Sequence, residues 1–315
     1  MQRIDGVVMA SRPPWLDTRR DGFAQHIFVG GNKTVLDILN SNRSVLGVNA
    51  NGFEATIAKT DAMLKSAGSI ETVQQTLQNG ILEVTFRINS ETGHKLPTSF
   101  PSRRAFMHVR VNDGAGNTVF ESGRANADGS IVGADSDSDR STYEPHYELI
   151  TSQEQVQIYE AVMENNLGEV TYTLLRGMNY KKDNRILLAG FDKSSAQSDI
   201  MVRGSAADDA DFVGGSDTIT YRISGLGDGT YSVDAELLYQ SLGYAFAQDL
   251  FADSSAEASS FKTMFNASAM KTSQIAAASL TLSNSGSTTP AACSDGIDND
   301  GDGLTDLADP GCSDT

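Results

Sequence analysis

From residue 69 onward apolar and polar positions alternate, and a period of two marks strands with one buried face. Val84, Phe86 and Ile88 alternate with Glu83, Thr85 and Arg87, which predicts a strand over 82–89. A partner over 70–77 reaches it through Asn79-Gly80, the pair that supplies the positive φ angles of a two-residue hairpin turn. Met107, Val109 and Val111 alternate with Phe106, His108 and Arg110 in a strand over 105–111, which 112–117 turns back into 118–121. Further strand patterns occupy 147–150, 155–162, whose end also suits a helix, and 171–175. Segments 216–223 and 231–239 read as a second hairpin around Gly227-Asp228-Gly229, and 275–282 as a closing strand. Before residue 69 the periodicity is helical or absent. Val35, Leu36 and Leu39 share one face of a short helix over 34–40, which follows Gly30-Gly31, and a second helix is predicted over 52–66. Residues 247–272 carry a further helical pattern. The rest of the first 53 residues reads as an irregular wrap, docked onto the body by Trp15, the one tryptophan.

These patterns predict a mainly β chain with helical additions: a β-sandwich, with an Ig-like topology as one arrangement, an N-terminal helical arm and a short C-terminal calcium loop. The expected division is an arm with short helices over 1–68, the sandwich over 69–282, a Ser/Thr/Gly linker over 283–290 and a calcium-binding tail over 291–315.

One connector stands out. Thr92-Gly93-His94-Lys95-Leu96-Pro97, continuing to Pro101-Ser102-Arg103-Arg104, joins two strands. It is too long for a tight turn, and its prolines make it too stiff for a floppy linker. It is predicted to cross from one sheet to the other and to hold His94 at the rim, where functional residues commonly sit. Arg103, Arg104 and the basic patch 181–185 read as solvated or ion-paired charge.

The net charge of −17 leaves no basic stripe for nucleic acid or anionic lipid. The sequence carries no run long and apolar enough to span a membrane and no signal peptide after Met1. An acidic, Gly- and Ser-rich, Cys-poor composition suits an exported bacterial protein, extracellular or periplasmic. Nucleophile-elbow, phosphate-loop and His-Glu-x-x-His motifs are absent, so no enzyme activity is expected. The acidic run 128–139 reads as a solvated loop in preference to a second calcium site.

The tail carries the most specific spacing. Asp298, Asp300 and Asp302 fall at positions 1, 3 and 5 of a calcium loop, and Gly303 falls at the sharp turn at position 6. Leu304 offers its carbonyl at position 7, Asp306 falls at 9 and Asp309 at 12. Hard oxygen donors at this spacing select Ca²⁺. Cys293 and Cys312 bracket the loop and would clip it when oxidised. The run resembles thrombospondin type 3 and related bacterial calcium repeats.

Several collinear motifs carry a broader resemblance: Arg12-Pro-Pro-Trp-Leu16, His26-Ile-Phe-Val-Gly-Gly-Asn32, Thr92-Gly-His-Lys-Leu-Pro-Thr98 with Pro101-Ser-Arg-Arg104, Tyr143-Glu-Pro-His-Tyr147, Val156-Gln-Ile-Tyr-Glu160, Lys182-Asp-Asn-Arg185 and Gly190-Phe-Asp192. Over roughly 1–282 the chain resembles the C-terminal half of bacterial multihaem c-type cytochromes. The resemblance implies that Met1 follows a haem-bearing half that this sequence lacks, since no Cys-x-x-Cys-His occurs here. It implies that His26 and His94 are distal axial ligands to haems held by that segment or by a partner, with Gly30-Gly31 letting backbone approach the macrocycle. It further implies that the domain supports electron transfer and does no chemistry itself. The rival reading is a calcium-dependent surface binding or adhesion module without a redox role, and a third is a hydrolase with paired carboxylates in the acidic loops. From the residues alone, His108 and His146 carry less than His26 and His94.

Overall fold

The computed structural model describes residues 3–8, 13, 15, 19–24, 26–49, 51–98, 100–269 and 271–284. The arm opens with two-residue strands β1 (Arg3–Ile4), β2 (Val7–Val8), β3 (Arg19–Arg20) and β4 (Phe23–Ala24). β1 pairs with β4 and β2 with β3. Helices α1 (Lys33–Ser41), α2 (Arg43–Leu46) and α3 (Phe53–Lys65) follow. The body then runs β5 (Gly68–Gln78), β6 (Ile81–Ser90), β7 (Arg104–Asp113), β8 (Thr118–Ser122), α4 (Asp135–Ser138), β9 (Leu149–Ile150), β10 (Ile158–Glu164), β11 (Val170–Thr171), β12 (Asn179–Asp183), β13 (Ser216–Ser224), β14 (Gly229–Gln240), α5 (Tyr244–Leu250), α6 (Ala256–Ala267) and β15 (Ser273–Asn284).

The strands form a four-stranded sheet in the order β5-β6-β13-β9 and a seven-stranded sheet along β11-β10-β7-β14-β15, with β12 on β10 and β8 on β7. The alternating apolar residues of β6, β7, β13 and β14 meet between them: Phe86, Ile88, Val109, Val111, Ile219, Tyr221, Val233 and Leu237 are all fully buried. The chain is therefore mainly β, a sandwich with helical additions. A second apolar cluster, Phe106, Ile131, Val156, Ile158 and Leu238, backs the larger sheet under the 128–139 loop. A third, Ile38 with Ala247, Phe251 and Phe265, pins α1 to α5 and α6.

Asn79 and Gly80 both take positive φ (53° and 71°), as the β5–β6 turn requires. The connector 92–104 does leave the four-stranded sheet and enter the seven-stranded one. Three expectations are corrected. Segments 216–223 and 231–239 are not a hairpin, because β13 pairs β6 in one sheet while β14 pairs β7 and β15 in the other. Their short link passes the tip of the β5–β6 turn, where Leu226 N–H donates to the Gly80 carbonyl (3.0 Å). The helical stretch 247–272 begins earlier and breaks in two, since Ser255 caps α6 by accepting from Ala258 N–H. Residues 158–164 are strand throughout, as the β pattern over 155–162 predicts. Trp15 does not dock the arm: it is 82% exposed.

The arm is held instead by close packing at Gly31. A Cβ built there would lie 2.6 Å from the Tyr239 hydroxyl oxygen and 3.0 Å from the ring carbon that carries it. The space that Gly30-Gly31 was expected to leave for a macrocycle is, at Gly31, filled by Tyr239. Gly31→Ala should cost about 1–3 kcal/mol by overpacking, and Tyr239→Phe in the same chain should return part of that loss. Urea unfolding of the three variants checks this, and an unchanged midpoint for Gly31→Ala would refute the packing account.

Candidate functional site

His94 lies on the 92–98 connector, whose position is fixed from below. Thr92 Oγ1 donates to the His94 carbonyl (2.6 Å). Leu96 and Ile186 exchange both backbone hydrogen bonds (2.8 Å each), and the Leu96–Pro97 peptide is cis. Lys95, one residue on, turns inward and donates to Asp183 Oδ2 (2.7 Å), a carboxylate that also accepts from Arg185 Nε and Nη2 (2.7 and 2.8 Å). Burial alone would raise the Asp183 pKa, but Arg185 and then Lys95 outweigh it and hold the carboxyl below its ordinary range. Burial lowers the pKa of Lys95, and Asp183 only partly restores it. The backbone beneath His94 is thus clamped while its imidazole is exposed.

His26 is also exposed and stacks on Phe28, with ring centroids 4.0 Å apart. Phe28 has a positive φ of 49° and is 85% exposed, a costly arrangement for an aromatic residue. Among the described residues neither His26 nor His94 has a hydrogen bond to a ring nitrogen. Arg103 ties the two segments together: it donates to Asn32 Oδ1 of the arm (3.1 Å) and to the Thr98 carbonyl of the connector (2.9 Å). Asp298, Asp300, Asp302, Leu304, Asp306 and Asp309 lie outside the described residues, as do Cys293 and Cys312.

The chemistry that sequence reasoning passed over is buried. Arg104, read as solvated or ion-paired charge, is ion-paired, and it lies at the start of β7 with only 3% exposure. It grips Asp137 through two hydrogen bonds (2.7 and 2.8 Å) and donates to Gln240 Oε1 and the Gly129 carbonyl. Asp137 also accepts from Ile131 N–H, so it closes the 128–139 loop by pairing with arginine. Asp128 and Asp139 cap their own turns through Ser130 and Ser141. Lys182, in the patch read as solvated or ion-paired, is buried and donates to Glu160 and to the Ile158 carbonyl.

His146 is the most constrained histidine. Its Nε2 is 2.9 Å from Asp209 Oδ2 and 3.6 Å from Asp217 Oδ1, and its Nδ1 faces Gln157 Nε2 (2.8 Å) and Asn184 Nδ2 (3.1 Å). Both amides are oriented by backbone. Gln157 Oε1 accepts from Tyr147 N–H, Asn184 Oδ1 from Glu160 N–H, and Asn184 Nδ2 donates to the Ile158 carbonyl. Nδ1 must therefore accept, and the neutral ring carries its proton on Nε2. His146, Asp209 and Asp217 bring ligand atoms within 4.8 Å of one another, which resembles a metal centre. A neutral ring that used its Nε2 lone pair on a metal would have to place its proton on Nδ1, against two N–H donors. The cluster is a hydrogen-bonded one in this arrangement. Burial disfavours the imidazolium, but the bonds to Asp209 and Asp217 outweigh this and raise the His146 pKa. Accepting that second proton requires Gln157 and Asn184 to turn. Tyr159 completes the cluster by donating to Asp217 Oδ2 (2.6 Å). The local signal for this network was Gln157, a polar residue inside the strand pattern 155–162 where a buried strand calls for apolar ones.

No family model matches the chain, and no curated protein matches its sequence. Among solved structures it is similar to a penta-heme cytochrome c552 from Thermochromatium tepidum, at 12% identity and a TM-score of 0.40. The similarity covers 70% of this chain, which spans 41% of the length of that one.

The Lys95–Asp183–Arg185 clamp has a definite pH signature. A depressed carboxylate stabilises the fold fully above its unfolded pKa, and the contribution is lost as pH falls through the lower folded value. That window lies below about pH 3.8 for Asp183. Asp183→Asn should cost about 3–5 kcal/mol at pH 7, because Lys95 and Arg185 lose their buried counter-charge. It should also flatten the loss of stability below pH 3.8. Chemical denaturation from pH 2 to 7 checks both effects, and parallel curves for the two proteins would refute the clamp.

Proposed function

We propose that the chain is an exported, non-catalytic β-sandwich domain that supports electron transfer in a multihaem cytochrome c. In this reading His26 and His94 cap or ligate haems carried by another segment or by a partner, and the chain attaches none itself. The observation that carries it is the pairing of two exposed imidazoles, open at their ring nitrogens among the described residues, on segments joined by Arg103. An axial imidazole has to present one nitrogen to iron from a rigid support, and the buried Lys95–Asp183 pair supplies that support for His94. The motifs around both histidines resemble the multihaem family, which gives the exposed rings their partner.

A haem c peptide with one axial histidine and one open position tests the ligand role. Added to the full chain, its Soret band should shift from high spin to low spin. The shift should weaken in His94→Ala and in His26→Ala and vanish in the double variant. Identical titrations of wild type and double variant would sink the assignment.

The tail adds calcium in the same proposal. Asp298, Asp300, Asp302, Asp306 and Asp309 with the Leu304 carbonyl form the ligand set, because folding their carboxylates together needs a cation between them. Calorimetry of the full chain should show Ca²⁺ uptake that Asp300→Asn weakens at least about tenfold. No heat at millimolar Ca²⁺ would remove calcium from the reading.

A further inference from the structure

An open cleft of about 780 Å³ lies where three elements converge: the 137–141 segment that ends α4 and continues past it, the β10–β11 hairpin with the turn that follows it, and α5. Tyr244 and Gln248 stand four residues apart on α5 and so share the face that lines the cleft. Tyr172 forms the opposite wall and also lines a smaller cavity below, beside Arg104, Glu160 and Phe246. The floor is rigid. Asp137 is locked to buried Arg104, and Phe246 packs edge-on against Tyr172 (5.9 Å) and Phe100 (5.6 Å).

The lining is rich in polar groups that the fold leaves unused. Among the described residues the side chains of Arg140, Arg176, Gln248 and Asp249 make no hydrogen bond or ion pair, and neither do the hydroxyls of Tyr172 and Tyr244. Burial raises the pKa of both tyrosines, so both hydroxyls remain donors. Charge does not dominate. Arg140 and Arg176 stand against Asp139, Glu169 and Asp249, while Asp137 is neutralised by Arg104. A polyanion would meet three carboxylates, and a cation would meet two unpaired guanidinium groups. An apolar ligand would strand the polar groups unpaired at a cost. A ligand with many hydroxyls, each able to donate and accept, satisfies donors and acceptors of both signs, and its C–H faces pack on tyrosine rings.

We infer that this cleft binds a neutral oligosaccharide, lying along the open groove between α5 and the β10–β11 hairpin. The site is independent of His26 and His94 and stands or falls without any haem.

The test uses the full chain and amide NMR with maltohexaose, cellohexaose and N-acetylchitohexaose, and with oligogalacturonate as a charged counterpart. At least one neutral sugar should shift the resonances of Tyr244, Gln248 and Arg176, with an affinity that persists at ~0.5 M salt. Tyr244→Ala and the surface variant Arg176→Ala should each weaken binding at least about tenfold, while His108→Ala, on the outer face of the larger sheet, should leave it unchanged. The inference is overturned if no neutral sugar shifts these residues at about 10 mM, if the shifts map elsewhere, or if oligogalacturonate alone binds.

Discussion

A guanidinium group removed from water has to be met by partners on nearly every N–H, and the way Arg104 meets this demand organises one end of the molecule. Its Nε is taken by Gln240 at the end of β14, and its two terminal nitrogens by Asp137 and the Gly129 carbonyl. By register it sits opposite Glu160 of β10 on one side and Gln240 on the other. Burial works against its charge, but Asp137 more than compensates and the guanidinium pKa rises. Truncating Arg104 would therefore release the acidic loop, the junction of three strands and the floor of the cleft together, at a cost of several kcal/mol rather than that of one hydrogen bond.

The same logic explains how a chain of net charge −17 keeps cations in its interior. Arg104, Lys95 and Lys182 are all buried, and each has a carboxylate within 3.1 Å. Replacing these pairs by apolar residues would give a core at least as stable in principle. What ion pairs add is direction. Lys95 fixes the connector beneath His94, and Arg104 fixes the loop that walls the cleft. His146 joins this set through its bond to Asp209, and the tautomer of its neutral form is dictated by two amides that the backbone orients.

Local patterning made much of the fold legible. Alternation located β6, β7, β13 and β14, and Asn79-Gly80 located their first turn, because one buried face and one positive-φ pair leave their mark in a few consecutive residues. The partner of a strand leaves no such mark. Segments 216–223 and 231–239 look like a hairpin because both alternate and a Gly-Asp-Gly lies between them, yet each is buried against its own sheet. Trp15, read as the anchor because it is the one tryptophan, is exposed, whereas Gly31, which carries no side chain, makes the close contact. Arg104 and Lys182 were legible as solvated or ion-paired charge, but their burial and their partners were not, because Asp137 and Glu160 lie 33 and 22 positions away. Long-range pairing of this kind is set by topology, and topology is what a single sequence states least directly.

Register also separates the two ends of the sandwich. At one end, Arg104 of β7 meets Gln240 of β14, and there the His94 connector, the arm around Asn32 and α5 gather, linked by Arg103 and by the Phe100–Phe246 contact. At the other, Asp113 of β7 meets Tyr231, and Gly229 meets Asn284. The described chain therefore stops at the end opposite His94. β15 carries it the full length of β14, roughly 40 Å at about 3.3 Å per residue. A partner engaged through His26 and His94 would meet the pole at which the connector and the arm gather.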